Sequence, residues 1–570
     1  MADLLARIEQ LEAKVEAGFA GCREQLEVIA GKIDGRPTGE VPVMESRLVH
    51  PSVEPEPKIE SITARPEVVG KTEEKEQHLD IFPDKVWVKI FRNLSEYQLS
   101  QARLTCRHWN QIIGRSSLMD KLELRFPKGS ILDKNCDEVR SLAARYTKVE
   151  LNEAMIIKAA FWWESFGEHI HTLNLTKCRM VVADLLVMLR NTPKLKCLAF
   201  DVMLSSSCPD NVFEVKNLEE LTLGESVQHE TIALFQKLRL PLKGLSIRQK
   251  IYNNEIFDKA QNFIISVRNT LESLSLFGEN TSSLLRIVLR TLRLKKFRCS
   301  CIDFDLLTSY SEYFPAIAEM NVAIIEREEF FHNAFPDGLT RLELVSVRCP
   351  LQFLVESLPQ LEHLRIKNSC NNNNTVHFTH QASREHASLE VLELINPIET
   401  ALCLTSFPNL RLLRFAKSRL NNCNEFLTTC AQLQNLNHLE LTEIHTKNDC
   451  EDFFDYMENL KVLKLSSCYM SSVFLKNIFA LCPNLETVSL KDMAGVNDNV
   501  IHIMCQKLKR LASLELISLH KIKNDSVEHI ILNCSVIENV KLGRLTRISR
   551  DSAMQRLKTH RNLKLVYQLD

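Results

Sequence analysis

The sequence predicts an α/β chain dominated by a curved solenoid of about 17 strand–helix repeats, preceded by a small three-helix module and by a disordered linker with an N-terminal helix. Three observations carry this expectation. An apolar triplet spaced as Leu-x-x-Leu-x-Leu returns roughly every 24 residues from 146 onward. Residues 79–124 hold short apolar sets at helical spacing, and residues 35–78 are Pro-rich and acidic. With 570 residues, 45% hydrophobic and 25% charged, the chain has an ordinary soluble composition but is too long for one core. It lacks both a run of about 18 apolar residues and the basic-then-apolar start of a signal peptide, so the expected location is cytoplasmic or nuclear.

Charge separates the N-terminal tail from the body. Residues 1–80 carry a net −7 and the remainder +6. In residues 1–34, Leu4, Ile8, Leu11, Val15, Phe19, Cys22, Leu26, Ile29 and Ile33 recur every three or four positions, with Glu9, Glu12 and Glu16 on the other side. That is an amphipathic helix, or a short coiled coil able to make a homodimer, although Gly18 and Gly21 interrupt it. From 35 to 78, Pro37, Pro42, Pro51, Pro55, Pro57 and Pro66 among Glu and Ser leave too little apolar area to offset chain entropy.

The module at 79–124 opens with Pro83, a residue suited to a first helical turn, followed by Val86, Ile90, Phe91 and Leu94. Leu99, Ala102 and Leu104 follow Ser95 as a cap, and a third set runs from Cys106 through Trp109, Ile112 and Ile113 to a stop at Gly114. Three such helices cannot hide all these side chains, so part of the apolar face is expected to be covered by a partner. The order Phe82-Pro83, Val86, Ile90-Phe91, Leu94, Leu99, Leu104, Cys106-Arg107, Trp109 and Ile112 resembles the F-box, with Phe82 where that family more often has Leu. The resemblance implies docking onto the Skp-family adaptor of a cullin-RING ubiquitin ligase through Phe82, Pro83, Val86, Ile90, Phe91, Leu94, Leu99, Leu104, Cys106 and Trp109.

The repeats fill residues 125–570. Clear copies include Leu218-Leu221-Leu223, Leu342 and Leu344 after Leu339, and Leu460-Leu463-Leu465; weaker ones such as Leu294-Phe297-Cys299 and Leu485-Val488-Leu490 fill the gaps, from Tyr146-Val149-Leu151 to Ile537-Val540-Leu542. The length and pattern match a leucine-rich repeat, each unit adding one strand to a concave parallel sheet and one helix behind it. Cys178 and Cys468 occupy the Asn/Cys position that ends the signature and Cys482 lies in Leu-Cys-Pro-Asn-Leu, so these are packing cysteines. The longer units, with IYNNEIFDKAQN near 251 and NNNNTVHF near 371, are expected to extrude loops. Residues 79–570 together resemble the F-box/leucine-rich-repeat proteins.

On the concave strands the residue between the last two apolar positions reads Glu343, Arg365, Glu393, Arg414, Glu440 and Lys464 in six successive units. Val391, Leu412 and Val462 stand two positions earlier in three of the same units, with Ile395 just beyond the motif. The row reads either as a self-satisfied ion-pair ladder or as a mixed surface for a protein substrate, and the second is preferred. Alternating sign does not suit nucleic acid. No phosphate loop, nucleophile elbow or His-Glu-x-x-His motif occurs, and Cys299 and Cys301 have no second metal-ligand arm, so no catalytic residue, metal or cofactor is expected and no membrane contact. The resemblance then implies the substrate-recognition subunit of an SCF-type ligase, its partners being the adaptor, the cullin and a protein substrate. Alternatives are a scaffold of the same architecture without substrate turnover, and a receptor for a small molecule held by buried basic residues.

Overall fold

The computed structural model describes residues 82–134, 146–205, 213–248, 254–278, 281–310, 316–324, 335–345, 357–368, 375–378, 385–397, 401–420, 422–446, 456–548 and 564–568. The expected N-terminal helix and linker lie outside the described residues. The chain divides into two compact units, one of residues 1–124 with 138–149 and the other of 125–137 with 150–570.

The helical unit contains α1 (Asp84–Phe91), α2 (Glu96–Thr105) and α3 (Arg107–Arg115). Pro83 is the residue before α1 rather than its first turn, and its carbonyl accepts the Val86 amide at 2.8 Å. Ser95 caps α2 in a reciprocal box: its hydroxyl accepts from the Gln98 amide while the Gln98 side chain accepts from the Ser95 amide. Cys106 ends α2 and begins α3, its Sγ accepting from the Trp109 amide at 3.4 Å. The expected stop at Gly114 does not occur. That residue sits inside α3, and the Ile113 carbonyl closes the helix by accepting from the Ser116 amide.

In the second unit the strand of each expected repeat is present: β1 (Lys148–Asn152, at the division between units), β2 (Thr172–Met180), β3 (Cys197–Leu204), β4 (Glu220–Leu223), β5 (Gly244–Ile247), β6 (Ser273–Leu276), β7 (Lys296–Ile302), β8 (Glu319–Ile324) and β9 (Arg341–Val345). They continue as β10 (His363–Lys367), β11 (Val391–Ile395), β12 (Leu412–Leu420), β13 (His438–Thr446), β14 (Val462–Ser466), β15 (Thr487–Lys491), β16 (Ser513–Ile517), β17 (Asn539–Gly543) and β18 (Lys564–Gln568). From β2 to β18 each strand pairs in parallel with the next, with equivalent repeat positions opposite one another. Leu342, Leu364, Leu392, Leu413, Leu439 and Leu463 thus form one continuous row, all essentially without solvent contact. Burial of each leucine contributes roughly 2 kcal/mol by transfer, and a one-residue slip would turn the whole row to the solvent face.

Two recurring devices join the repeats. Just past the strand motif a non-glycine residue takes a left-handed conformation in nine repeats, at Glu153, Lys177, Asn396, Lys417, Glu443, Ser467, Asp492, Ser518 and Arg544, with φ from 49° to 57°. That turn brings the next side chain inward, so the Cys178 thiol donates to the Leu151 carbonyl at 3.3 Å and the Cys468 thiol to the Leu441 carbonyl at 3.4 Å, each one repeat back. The Asn of the Asn-Leu pair preceding several strands supplies a second tie. Asn217, Asn409, Asn435 and Asn484 each donate from Nδ2 to a carbonyl of the preceding repeat, at 2.7, 2.8, 3.1 and 2.9 Å.

Behind the sheet lie α4 (Trp163–Gly167), α5 (Val182–Arg190), α6 (His229–Lys237), α7 (Asn254–Ser266), α8 (Thr281–Val288), α9 (Phe304–Tyr310), α10 (Cys423–Gln432), α11 (Ser472–Leu481), α12 (Asp498–Lys507) and α13 (Asn524–Asn533). One strand plus one helix is therefore not universal. The unit starting at Leu389 reaches the next strand through the 3-10 turn Leu404–Ser406, because so short a unit has no room for an α-helix. Of the segments expected to form loops, IYNNEIFDKAQN enters α7 from Asn254 onward, and Thr375–Phe378 of NNNNTVHF is a strand paired with Ala401–Leu402 and with Arg419–Leu420, while residues 251–253 and 371–374 lie outside the described residues.

Candidate interaction surfaces

The helical unit is organised by an aromatic cluster. Trp87 lies 5.6 Å from Phe91, 5.0 Å from Trp109 and 5.7 Å from Phe82 between ring centroids. Leu99, Ala102, Ile112, Ile113, Leu118, Met119 and Leu122 complete this core, against which Phe82, Val88, Leu94, Cys106 and Tyr146 pack half-buried. Arg103 ties the helices together, donating from Nε to Asn110 at 3.0 Å and from Nη1 to the Tyr146 hydroxyl at 2.6 Å. Four residues from the sequence reading remain outside: Pro83 is exposed, and Val86, Ile90 and Leu104 are 36%, 41% and 79% accessible. Val86 and Ile90 are one turn apart on α1, so they share a face.

The concave row is one connected ladder. Asn321 donates to Glu343 at 2.5 Å, Arg365 reaches Glu343 at 3.4 Å and Glu393 at 3.6 Å, and Arg414 reaches Glu393 at 2.5 Å and Glu440 at 3.0 Å. Lys464 closes it 3.7 Å from Glu440. Register is the cause, since parallel strands place these positions directly opposite, about 4.8 Å apart. Glu393, only 9% accessible at its side chain, is held down to about 2 by a hydrogen bond from His363 at 3.2 Å, against burial, together with Arg414 and Arg365. Glu440 is likewise at about 2, through His438, Arg414 and Lys464; the His438 contact is a longer 3.7 Å, so the 3.0 Å bond from Arg414 is the firmer support. A similar knot follows at Glu515, which accepts from Ser489 at 2.7 Å and meets Lys491 and Lys541 at 3.0 and 2.9 Å. Val391, Leu412 and Val462 stand half-buried beside the ladder, and Ile395 at its margin.

Residues 79–125 match the F-box-like family. The chain therefore carries an F-box-like domain ahead of its parallel-strand repeats. Among solved structures, the chain is similar to the mouse RP105/MD-1 complex, at 16% identity over 77% of this chain and 85% of that one, TM-score 0.45. It is also similar to an internalin of Listeria monocytogenes, at 13% identity over 62% and 86%, TM-score 0.32. A third is the circular leucine-rich-repeat protein CroV588, at 12% identity over 75% and 69%, TM-score 0.35. No curated protein matches the chain. The repeat assignment rests on the apolar triplets and their in-register stacking.

The F-box residues read from the sequence fall into two sets. Phe91, Leu99 and Trp109 are core, and Phe82, Leu94 and Cys106 line it; these shape the surface from beneath. Pro83, Val86, Ile90 and Leu104 present themselves to solvent. Trp87, the centre of the aromatic cluster, is not among the positions that carry the F-box resemblance, although its i, i+4 spacing to Phe91 signals it. Among the described residues no group of three or more His, Cys, Asp or Glu side chains is placed to hold a metal ion, and twelve cysteines are free thiols.

Proposed function

We propose that this chain is an F-box/leucine-rich-repeat protein acting as a substrate-recognition subunit of an SCF-type ubiquitin ligase. The exposed apolar set Pro83, Val86, Ile90 and Leu104 on a domain that matches the F-box carries this reading. Val86 and Ile90 share one face of α1, and a partner that covers these side chains gains their burial. The Skp-family adaptor is the partner the F-box implies, the cullin follows through it, and a protein substrate is held on the concave sheet. The contribution to rate is proximity: the bound substrate is held near a conjugating enzyme brought by other subunits, and the chain itself performs no chemistry. On this proposal the protein works in the cytoplasm or nucleus, where such ligases operate, and residues 1–34 add self-association.

The test is affinity capture of the full chain beside an Ile90→Lys, Leu104→Lys variant, followed by mass spectrometry. Both positions are exposed, so the variant keeps the helical core. Adaptor and cullin captured by the wild type and absent from the variant support the reading. A wild type that captures neither removes it and leaves a scaffold without ligase.

A further inference from the structure

Behind the sheet, α12 and α13 are fixed against one another at their starts. Asp498, the first residue of α12, accepts from the Lys523 amide at 2.7 Å and from the buried Ser526 hydroxyl at 2.6 Å, which ties the first turn of α13 to the repeat before it. Asn497 in turn caps α12 by accepting from the Val500 amide at 3.0 Å. His502 is the fifth residue of α12 and His529 the sixth of α13, and the packed helices bring the two half-buried imidazoles together.

Their Nδ1 atoms are 3.1 Å apart, the ring centres 4.2 Å, and the ring planes are inclined at 55°. In a linear N–H···N bond the ring centres would stand a ring radius beyond the nitrogens at each end. Here they are little farther apart than the nitrogens, so the rings lie flank to flank and the bond between them is bent, which weakens it. The same separation suits a shared ion. Two imidazole nitrogens about 2.0–2.1 Å from one metal stand about 3.3 Å apart at a tetrahedral angle and about 2.9 Å apart at a right angle, and 3.1 Å lies between.

The far side of the His502 ring is also provided for. Gln506, one turn on in α12, approaches its Nε2 at 2.9 Å. With the Gln506 amide N–H donating to that nitrogen, the ring proton sits on Nδ1. Turned over, the Gln506 carbonyl accepts from Nε2–H and leaves Nδ1 bare for a metal. Among the described residues no third His, Cys, Asp or Glu completes a cluster, so water fills the remaining positions. Imidazole donors suit Cu2+ and Zn2+, whereas Mg2+ and Ca2+ take oxygen.

We propose that His502 and His529 bind a divalent transition-metal ion, Cu2+ or Zn2+, that clamps α12 to α13. The unfolded chain does not hold the two rings together, so the ion stabilises these repeats by mass action, and in a solenoid that gain stays near them. The site uses none of the F-box residues and none of the strand ladder, so it stands independently of the ligase reading.

The experiment uses full-length protein without a polyhistidine tag, freed of metal by chelation and titrated with Cu2+, Zn2+ or Mg2+. Calorimetry follows binding, and mass spectrometry follows amide exchange. Cu2+ should bind more tightly than Zn2+, Mg2+ should not bind, and exchange should slow in α12 and α13 but not in α5 and α6. His502→Gln and His529→Gln should each weaken Zn2+ binding at least about 10-fold, and Gln506→Ala several-fold, whereas the exposed His520→Gln should change nothing. The metal-free variants should melt as the wild type does. Electron paramagnetic resonance of the Cu2+-loaded wild type should show coupling to two imidazole nitrogens, a readout that needs no variant. Coupling to one nitrogen or none, Zn2+ affinity unchanged in both histidine variants, or an equal response to Mg2+ overturns the proposal.

Discussion

Arg414 and Glu393, on adjacent strands 21 residues apart in sequence, meet at 2.5 Å, and the same guanidinium continues to Glu440 on the strand beyond. One side chain therefore spans three repeats. In a solenoid, where each unit touches only its neighbours, such a link couples units that nearest-neighbour packing alone couples only through intermediates.

Acid titration should expose this coupling. Glu393, Glu440 and Glu515 lie at about 2 in the folded chain, below the ordinary 4.5, so the unfolded chain binds more protons as pH falls. Their stabilisation is complete above about pH 4.5 and is lost as pH drops from there toward 2. Glu393→Gln should cost about 1–3 kcal/mol at pH 7, by leaving Arg365 and Arg414 against a neutral amide, and should flatten the decline of melting temperature between pH 5 and pH 2. An unchanged slope in the variant would show that the ladder adds nothing.

In the F-box, buried and exposed aromatic and aliphatic positions should separate by readout. Trp87→Ala removes the centre of the aromatic cluster and should cost roughly 3–5 kcal/mol, enough to unfold so small a unit. Ile90→Ala, on the accessible face, should leave amide exchange in α1 to α3 within about 0.5 kcal/mol of wild type yet weaken adaptor binding at least several-fold. Equal losses of protection in both variants would mean that Ile90 is structural.

Why the fold was so legible, and the site less so, follows from period. Every repeat commits three apolar positions to one row, so Leu218-Leu221-Leu223 and its copies announce strand, direction and register at once. β18 escaped because its triplet opens with the polar Asn562 and closes with Tyr567, where the clear copies have Leu at both places. The alternation of Glu343, Arg365 and Glu393 was visible, but whether such charges serve a partner or each other depends on side-chain distances that a string of letters does not contain.

The repeat cysteines should be chemically silent until unfolding. Burial pushes the thiols of Cys178, Cys299 and Cys468 to about 11 and Cys482 to about 12, so almost no thiolate exists at pH 8. Native protein treated with iodoacetamide at pH 8 should leave these four unmodified over hours, and denatured protein should react within minutes. Peptide mass spectrometry reads the difference site by site, and rapid native labelling of Cys468 would contradict the bond to Leu441.

A last prediction isolates the turn that ends each strand. Ser466 and Ser467 are the same residue type one position apart, but Ser466 is the final residue of β14 whereas Ser467 has φ of 51°. A β-branched side chain suits a strand and clashes with the carbonyl in the left-handed region. Ser466→Val should therefore be neutral or mildly stabilising, while Ser467→Val should cost about 1–2 kcal/mol and Ser467→Gly should be tolerated. Eight other repeats carry the same turn, so the loss should stay local: amide exchange should quicken in β14 and β15, where the Ser467 amide donates to the Lys491 carbonyl at 2.8 Å, and spare β3 and β4. If both valines cost the same, backbone handedness is not what these positions select, and the nine-fold recurrence needs another cause.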